Sequence, residues 1–143
     1  MAWVYYQPLE GQKPSINADC LIRAISKWQG KGYDPIVAWQ RAVYFAARMS
    51  YEEHIFPPNK TACILNYFKH HNCEVQHMNA RRTVGTIAKN NHEPALITTK
   101  DHIVFANNGN FYDSWDSGRT VVHDVIYLKD FDENTTKIWV TEK

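Results

Sequence analysis

The chain contains no run of about 18 apolar residues, the length that a membrane-spanning helix needs, so no membrane span is expected. Residues 1–8 show no basic segment followed by a long apolar stretch, and no secretory signal is expected either. Six glycines and six prolines are spread along the 143 residues, so no linker or low-complexity tract divides them. The length also suits one domain, and we therefore expect a single domain over residues 1–143.

An excess of either charge is also missing. Sixteen lysines and arginines face fifteen aspartates and glutamates, which leaves a net charge of +1. This balance argues against a dedicated nucleic-acid binder or a membrane-surface protein.

The chain has only three cysteines, an odd number, so a disulfide framework is not expected. We therefore expect the protein to be cytoplasmic.

The first half of the chain carries helical periodicity, and the second half carries short strand patterns. Apolar residues recur at helical spacing in three segments, residues 17–28, 34–49 and 61–71. A shorter helix is expected at residues 83–90. Strands are predicted at residues 73–78, 95–99, 102–106, 111–115, 121–128 and 137–141. This order predicts an α+β fold, with N-terminal helices packed on a C-terminal antiparallel sheet.

Cys20 lies in the first turn of the first predicted helix. A helix N-terminus carries a partial positive charge and unpaired N–H groups, which stabilise a thiolate. The same N–H groups can hold the oxyanion that forms when the thiolate attacks a carbonyl. Cys20 is therefore a candidate nucleophile; the alternative is a small buried core residue.

A nucleophilic cysteine needs a base, and the base needs an orienting group. Asn108-Gly109 is a strong signal for a two-residue hairpin turn, which would place Val104 opposite Asp113. Because side chains alternate along a strand, His102 then shares a face with Asp113, and the two become diagonal cross-strand neighbours. A three-residue loop would separate them, so this prediction depends on the register.

In the resulting hypothesis His102 takes the proton from Cys20, while Asp113 binds the other ring nitrogen and orients the ring. Each residue also has an ordinary interpretation. His102 would be a surface histidine at the start of a strand, and Asp113 would close a turn beside Ser114. Asp116 is an alternative to Asp113 as the orienting carboxylate.

These residues resemble those of the papain-like cysteine peptidase superfamily, in which a cysteine on an early helix precedes a strand histidine and then an orienting residue. Residues 17–25, Asn-Ala-Asp-Cys-Leu-Ile-Arg-Ala-Ile, are similar to the nucleophile helix of small phage and bacterial members. They are also similar to the Cys-Leu-x-Arg-Ala helix of ovarian-tumour-type deubiquitinases. Residues 102–116 resemble the His…Gly…Tyr-Asp-x-Trp-Asp stretch of the small phage and bacterial proteins.

The resemblance implies a papain-like α+β fold and a cysteine hydrolase without a cofactor. The enzyme would cleave an amide, peptide or isopeptide bond of a protein or peptide through an acyl-enzyme, in the host cytoplasm if the protein is phage-encoded. Two other functions stay open. One is a non-catalytic interaction protein on the same scaffold, and the other is an acyl transferase or deamidase with the same triad.

Papain-type enzymes usually carry a glutamine six residues before the nucleophile as an oxyanion donor, but Pro14 occupies that position here. Asn17 is one replacement donor, and Gln12 is another if its loop folds back. The alternative role of Asn17 is a helix N-cap. Because loss of one oxyanion donor typically costs about 10²–10³ in rate, a chain with no replacement would be a weak enzyme or a non-catalytic relative.

A second cluster of potentially reactive residues lies between the helical and strand-rich halves. It contains His70, His71, Cys73 and His77, with Cys63 nearby. These residue types suit zinc, but their spacing matches no standard zinc motif. We therefore predict no metal site, and interpret the histidines as residues that complement the dipole at a helix C-terminus.

Overall fold

The computed structural model describes residues 3–9 and 19–131. The described helices are α1 (Asp19–Gln29), α2 (Pro35–Glu53), α3 (Thr61–His70) and α4 (Val84–Lys89). The described strands are β1 (Trp3–Tyr5), β2 (Glu74–His77), β3 (Ala95–Thr98), β4 (Ile103–Asn107), β5 (Asn110–Asp113) and β6 (Asp124–Tyr127). The predicted α+β class is confirmed. The strand predicted at residues 137–141 lies outside the described residues.

The six described strands form one sheet in the order β1-β5-β4-β3-β6-β2. Most neighbours are antiparallel, but β1 runs parallel to β5, with Trp3 beside Phe111. The expectation of a purely antiparallel sheet is therefore wrong at this edge. A three-residue strand shows too little alternation to be recognised from the sequence, and parallel pairing needs the long crossover that the intervening elements supply.

The β4–β5 hairpin has the register that the sequence predicts. Asn107 pairs with Asn110 and Ala106 pairs with Phe111. The two residues between the strands, Asn108 and Gly109, have φ angles of 53° and 85°. Both values lie in the left-handed region, which asparagine and glycine tolerate better than other residues and which a type I′ turn requires.

The second helix begins where the sequence predicts. Asp34 is its N-cap and accepts a 3.1 Å hydrogen bond from the N–H of Ile36, while Pro35 takes the first helical position. The helix continues past residue 49 to Glu53, because polar residues extend it beyond the last buried apolar position, Met49. Within residues 3–9 and 19–131, no helix is long and apolar enough to cross a membrane.

Apolar side chains cover both faces of the sheet. On one face the first three helices pack around an aromatic group. Its members are Trp28, Phe45, Tyr67, Phe68 and Phe131. On the other face α4 contributes Val84 and Ala88 to a smaller cluster with strand residues. The first cluster holds α1 against the sheet and so fixes the N-terminus of this helix.

Phe45→Ala should lower the free energy of unfolding by about 3–5 kcal/mol, because Phe45 is fully buried and its loss leaves a cavity among other rings. Urea denaturation followed by circular dichroism measures this change. Tyr44→Ala is the matched control: its side chain is 53% exposed, and the change should stay within about 0.5 kcal/mol. Equal losses for the two variants would contradict this description of the core.

Candidate active site

Cys20 is the second residue of α1 and is half-buried. The helix behind it lies deep in the protein, since all six residues from Leu21 to Ser26 are buried. The apolar side chains among them pack against α2, α3 and the sheet. The thiol is therefore held at a fixed point, at the helix end where unpaired N–H groups concentrate.

His102 and Asp113 come together across the β4–β5 hairpin, as the sequence predicts. His102 directly precedes β4, and Asp113 is the last residue of β5. Nε2 of His102 lies 2.6 Å from Oδ2 of Asp113. The carboxylate side chain is only 1% exposed and the imidazole 14% exposed, so water competes little for this hydrogen bond.

Cys20 and His102 line the same cleft, and Cys20 acts on the His102 ring through a hydrogen bond and through its charge. Because Nε2 binds Asp113, the nitrogen left for the thiol is Nδ1. Burial disfavours the imidazolium, but the hydrogen bond and charge of Asp113, together with those of Cys20, outweigh it and raise the pKa of His102 to about 9. The structure thus brings the three predicted residues into one chain of contacts.

Three further groups hold the Asp113 carboxylate. Oδ2 also accepts a 2.7 Å hydrogen bond from Oγ of Ser117, and Oδ1 accepts a 2.8 Å hydrogen bond from the N–H of Ser114. Nη1 of Arg23 lies 3.8 Å from Oδ1. Ser117 and Arg23 are parts of this site that the sequence motifs do not indicate. An arginine among the apolar residues of α1 is unusual enough to indicate a buried ionic role. A serine just beyond a strand is too common to indicate any role.

The alternative orienting residue, Asp116, has a different role. Its Oδ1 accepts a 3.0 Å hydrogen bond from the N–H of Gly118 and so closes the turn after β5. Trp115 lies between Asp113 and Asp116 in the sequence, and the centroid of its ring is 5.2 Å from that of the His102 ring. This contact covers part of the imidazole and limits the access of water to its hydrogen bond with Asp113.

A cleft of about 250 Å³ opens at the thiol. One wall is the start of α3, with Asn59, Lys60 and Thr61, and the other is the turn between β3 and β4. A larger groove of about 630 Å³ lies around His92 and Tyr127, away from Cys20. We assign the smaller cleft as the candidate site, because it contains the nucleophile and base and the larger groove contains neither.

The other two cysteines are in different environments. Cys63 is fully buried and Cys73 is 6% exposed. Burial raises the pKa of both thiols to about 11, with smaller contributions from the charges of Glu53 and Asp130 respectively. All three cysteines are free thiols, and Cys20 lines a cleft together with His102.

The histidines near these cysteines contact separate carboxylates. His70 pairs with Glu53 at 2.8 Å, and His71 pairs with Glu52 at 3.1 Å. His77 lies 2.8 Å from Asp124, its cross-strand neighbour on β6. Among the residues that the structure describes, no group of three or more histidine, cysteine, aspartate or glutamate side chains is arranged to hold a metal ion.

The predicted side-chain oxyanion donors, Gln12 and Asn17, lie outside the described residues, as does Pro14. The described part of the site still offers one kind of donor. Cys20 lies in the first turn of α1, where backbone N–H groups have no acceptor within the helix. The N–H of Cys20 is therefore placed to donate to an oxygen bound at the thiol.

No protein-family model, curated protein or solved structure matches this chain.

The folded protein binds a proton on His102 more tightly than the unfolded chain does, and this difference stabilises the fold by an amount that depends on pH. Because the folded-state pKa of about 9 exceeds the ordinary histidine pKa of 6.5, this stabilisation is complete below pH 6.5 and is lost as the pH rises through about 9. The wild type should lose up to about 3 kcal/mol of unfolding free energy over this window, beyond any loss in His102→Gln. Urea denaturation at a series of pH values measures both. Parallel curves for the two proteins would contradict the assignment.

Proposed function

We propose that this protein is a papain-like cysteine hydrolase that cleaves an amide or isopeptide bond of a protein or peptide. One observation carries the proposal: Cys20 shares a cleft with His102 and interacts with its ring, and Nε2 of that ring binds the buried carboxylate of Asp113. These three residues supply a nucleophile, a base and a group that orients the base, each interacting with the next. The α+β architecture and the resemblance of residues 17–25 and 102–116 support the same family.

The proposed reaction begins with an ion pair. The proton of the Cys20 thiol moves to Nδ1 of His102, and the imidazolium keeps its hydrogen bond to Asp113. The thiolate attacks the carbonyl carbon of the substrate. The resulting oxyanion accepts a hydrogen bond from the backbone N–H of Cys20. The C–N bond then breaks as His102 gives its proton to the leaving amine. A thioester on Cys20 remains.

The second half of the reaction returns the enzyme to its starting state. Neutral His102 takes a proton from water, and the hydroxide that forms attacks the thioester carbon. The C–S bond breaks, the acid product leaves, and the thiolate and imidazolium are restored. The raised pKa of His102 suits the first half, because it keeps the imidazolium charged until a leaving amine accepts the proton.

The cleft also bears on the kind of substrate. A space of about 250 Å³ holds one or two side chains, so we expect an extended segment of a protein or a short peptide to lie across it. Lys60 and Lys100 are exposed on opposite walls of the cleft, and Asp101 lies beside Lys100.

Three free thiols suit a reducing compartment, and we propose the cytoplasm as the site of action.

Peptide and ubiquitin-like probes that end in a thiol-reactive electrophile test the proposal directly. At least one probe class should form a covalent adduct that mass mapping assigns to Cys20, and Cys20→Ala should abolish it. His102→Ala should slow the reaction by about 100-fold or more, because the base that activates the thiol is lost. His123→Ala, which removes an exposed histidine elsewhere, is the matched control and should react like the wild type.

Two results would count against a hydrolase. The first is an adduct that forms equally in Cys20→Ala, and the second is a rate that does not change in His102→Ala. Probe binding without an adduct would favour the non-catalytic interaction protein. Transfer of the acyl group to an added amine rather than to water would favour the transferase.

A further inference from the structure

Arg23 is a buried arginine on the helix that carries the candidate nucleophile. It is 5% exposed and lies one turn after Cys20 on α1, between buried apolar residues. Removing a guanidinium from water is costly unless carboxylates or other acceptors compensate its charge. The buried guanidinium therefore needs anionic or hydrogen-bond-accepting groups around it.

Two carboxylates compensate the guanidinium, and they belong to different parts of the fold. Nη2 donates to Oδ2 of Asp19, the residue immediately before Cys20. Nη1 lies 3.8 Å from Oδ1 of Asp113, at the end of β5. Within the described residues Nε has no hydrogen-bond acceptor, so these carboxylates provide the ionic partners of the group.

The two partners are the neighbours of the two reacting groups. Asp19 adjoins the nucleophile in the chain, and Asp113 binds the ring of His102. The guanidinium thus connects the start of α1 to the carboxylate that orients the base. Because the fork of an arginine is planar and rigid, it fixes the separation of two carboxylates, which a lysine ammonium does not.

We infer that Arg23 is a positioning residue that sets the distance between the Cys20 thiol and the His102 ring by bridging Asp19 and Asp113. This inference rests on the proposed function. The ionic contacts of Arg23 are with the two aspartates, and it acts through them. Its effect should therefore appear in the reactivity of Cys20 and in its dependence on pH, and not in stability alone.

Alkylation of Cys20 by iodoacetamide across a range of pH tests the inference without a substrate. In the wild type Cys20 should react well ahead of Cys63 and Cys73 near neutral pH. Arg23→Met keeps most of the side-chain volume but removes the charge. It should slow the reaction of Cys20 by about tenfold to a hundredfold, because small displacements of reacting groups have effects of this size. Arg23→Lys should restore part of the rate.

Arg48 supplies a matched control. It is also an arginine paired with a carboxylate, since its Nε lies 2.6 Å from Oε2 of Glu52, but it is on α2 away from the cleft. Arg48→Met should lower stability without changing the alkylation profile of Cys20. Urea denaturation of each variant separates misfolding from misplacement. If Arg23→Met does not fold, Arg23→Lys carries the test, and a wild-type profile in it would overturn the inference.

The outcomes distinguish this inference from the proposed function. A folded Arg23→Met with the wild-type rate and pH profile would overturn the positioning role and leave the hydrolase proposal intact. An equal loss of Cys20 reactivity in Arg48→Met would also overturn it. A wild-type Cys20 that reacts no faster than Cys63 would overturn the proposed function, and the positioning role with it.

Discussion

The hydrogen bond between His102 and Asp113 is the interaction on which the candidate site depends. A carboxylate with 1% exposure is costly to bury in its ionised form, and here it receives donors from His102, Ser114 and Ser117. The same bond fixes the imidazole ring, so that its remaining nitrogen faces Cys20. Without it, the carboxylate would no longer offset the burial that disfavours the imidazolium, and the pKa of His102 would be lower.

The fold brings the two halves of the site together from distant parts of the chain. The helix α1 carries Cys20 and is fixed by the aromatic cluster that α2 and α3 complete. The β4–β5 hairpin carries His102 and Asp113 and is fixed by its type I′ turn and by its place inside the sheet.

The sequence predicts the parts of this arrangement that local rules control. Asn108 and Gly109 determine the hairpin register, and the register determines that His102 meets Asp113. Contacts between distant segments leave no such local signal. The parallel pairing of β1 depends on a crossover through most of the chain, and the role of Arg23 appears only once Asp19 and Asp113 are close. The extra turn of α2 beyond residue 49 is polar, so hydrophobic periodicity does not detect it.

The titration of His102 is the most direct test of this account. Nuclear magnetic resonance of the imidazole protons gives its pKa in the folded protein, and His102→Gln identifies the signal. The pKa of His102 should be about 9 in the wild type and clearly lower in Asp113→Asn, which lacks the carboxylate charge. A wild-type pKa near the ordinary value of about 6.5, unchanged in Asp113→Asn, would contradict it.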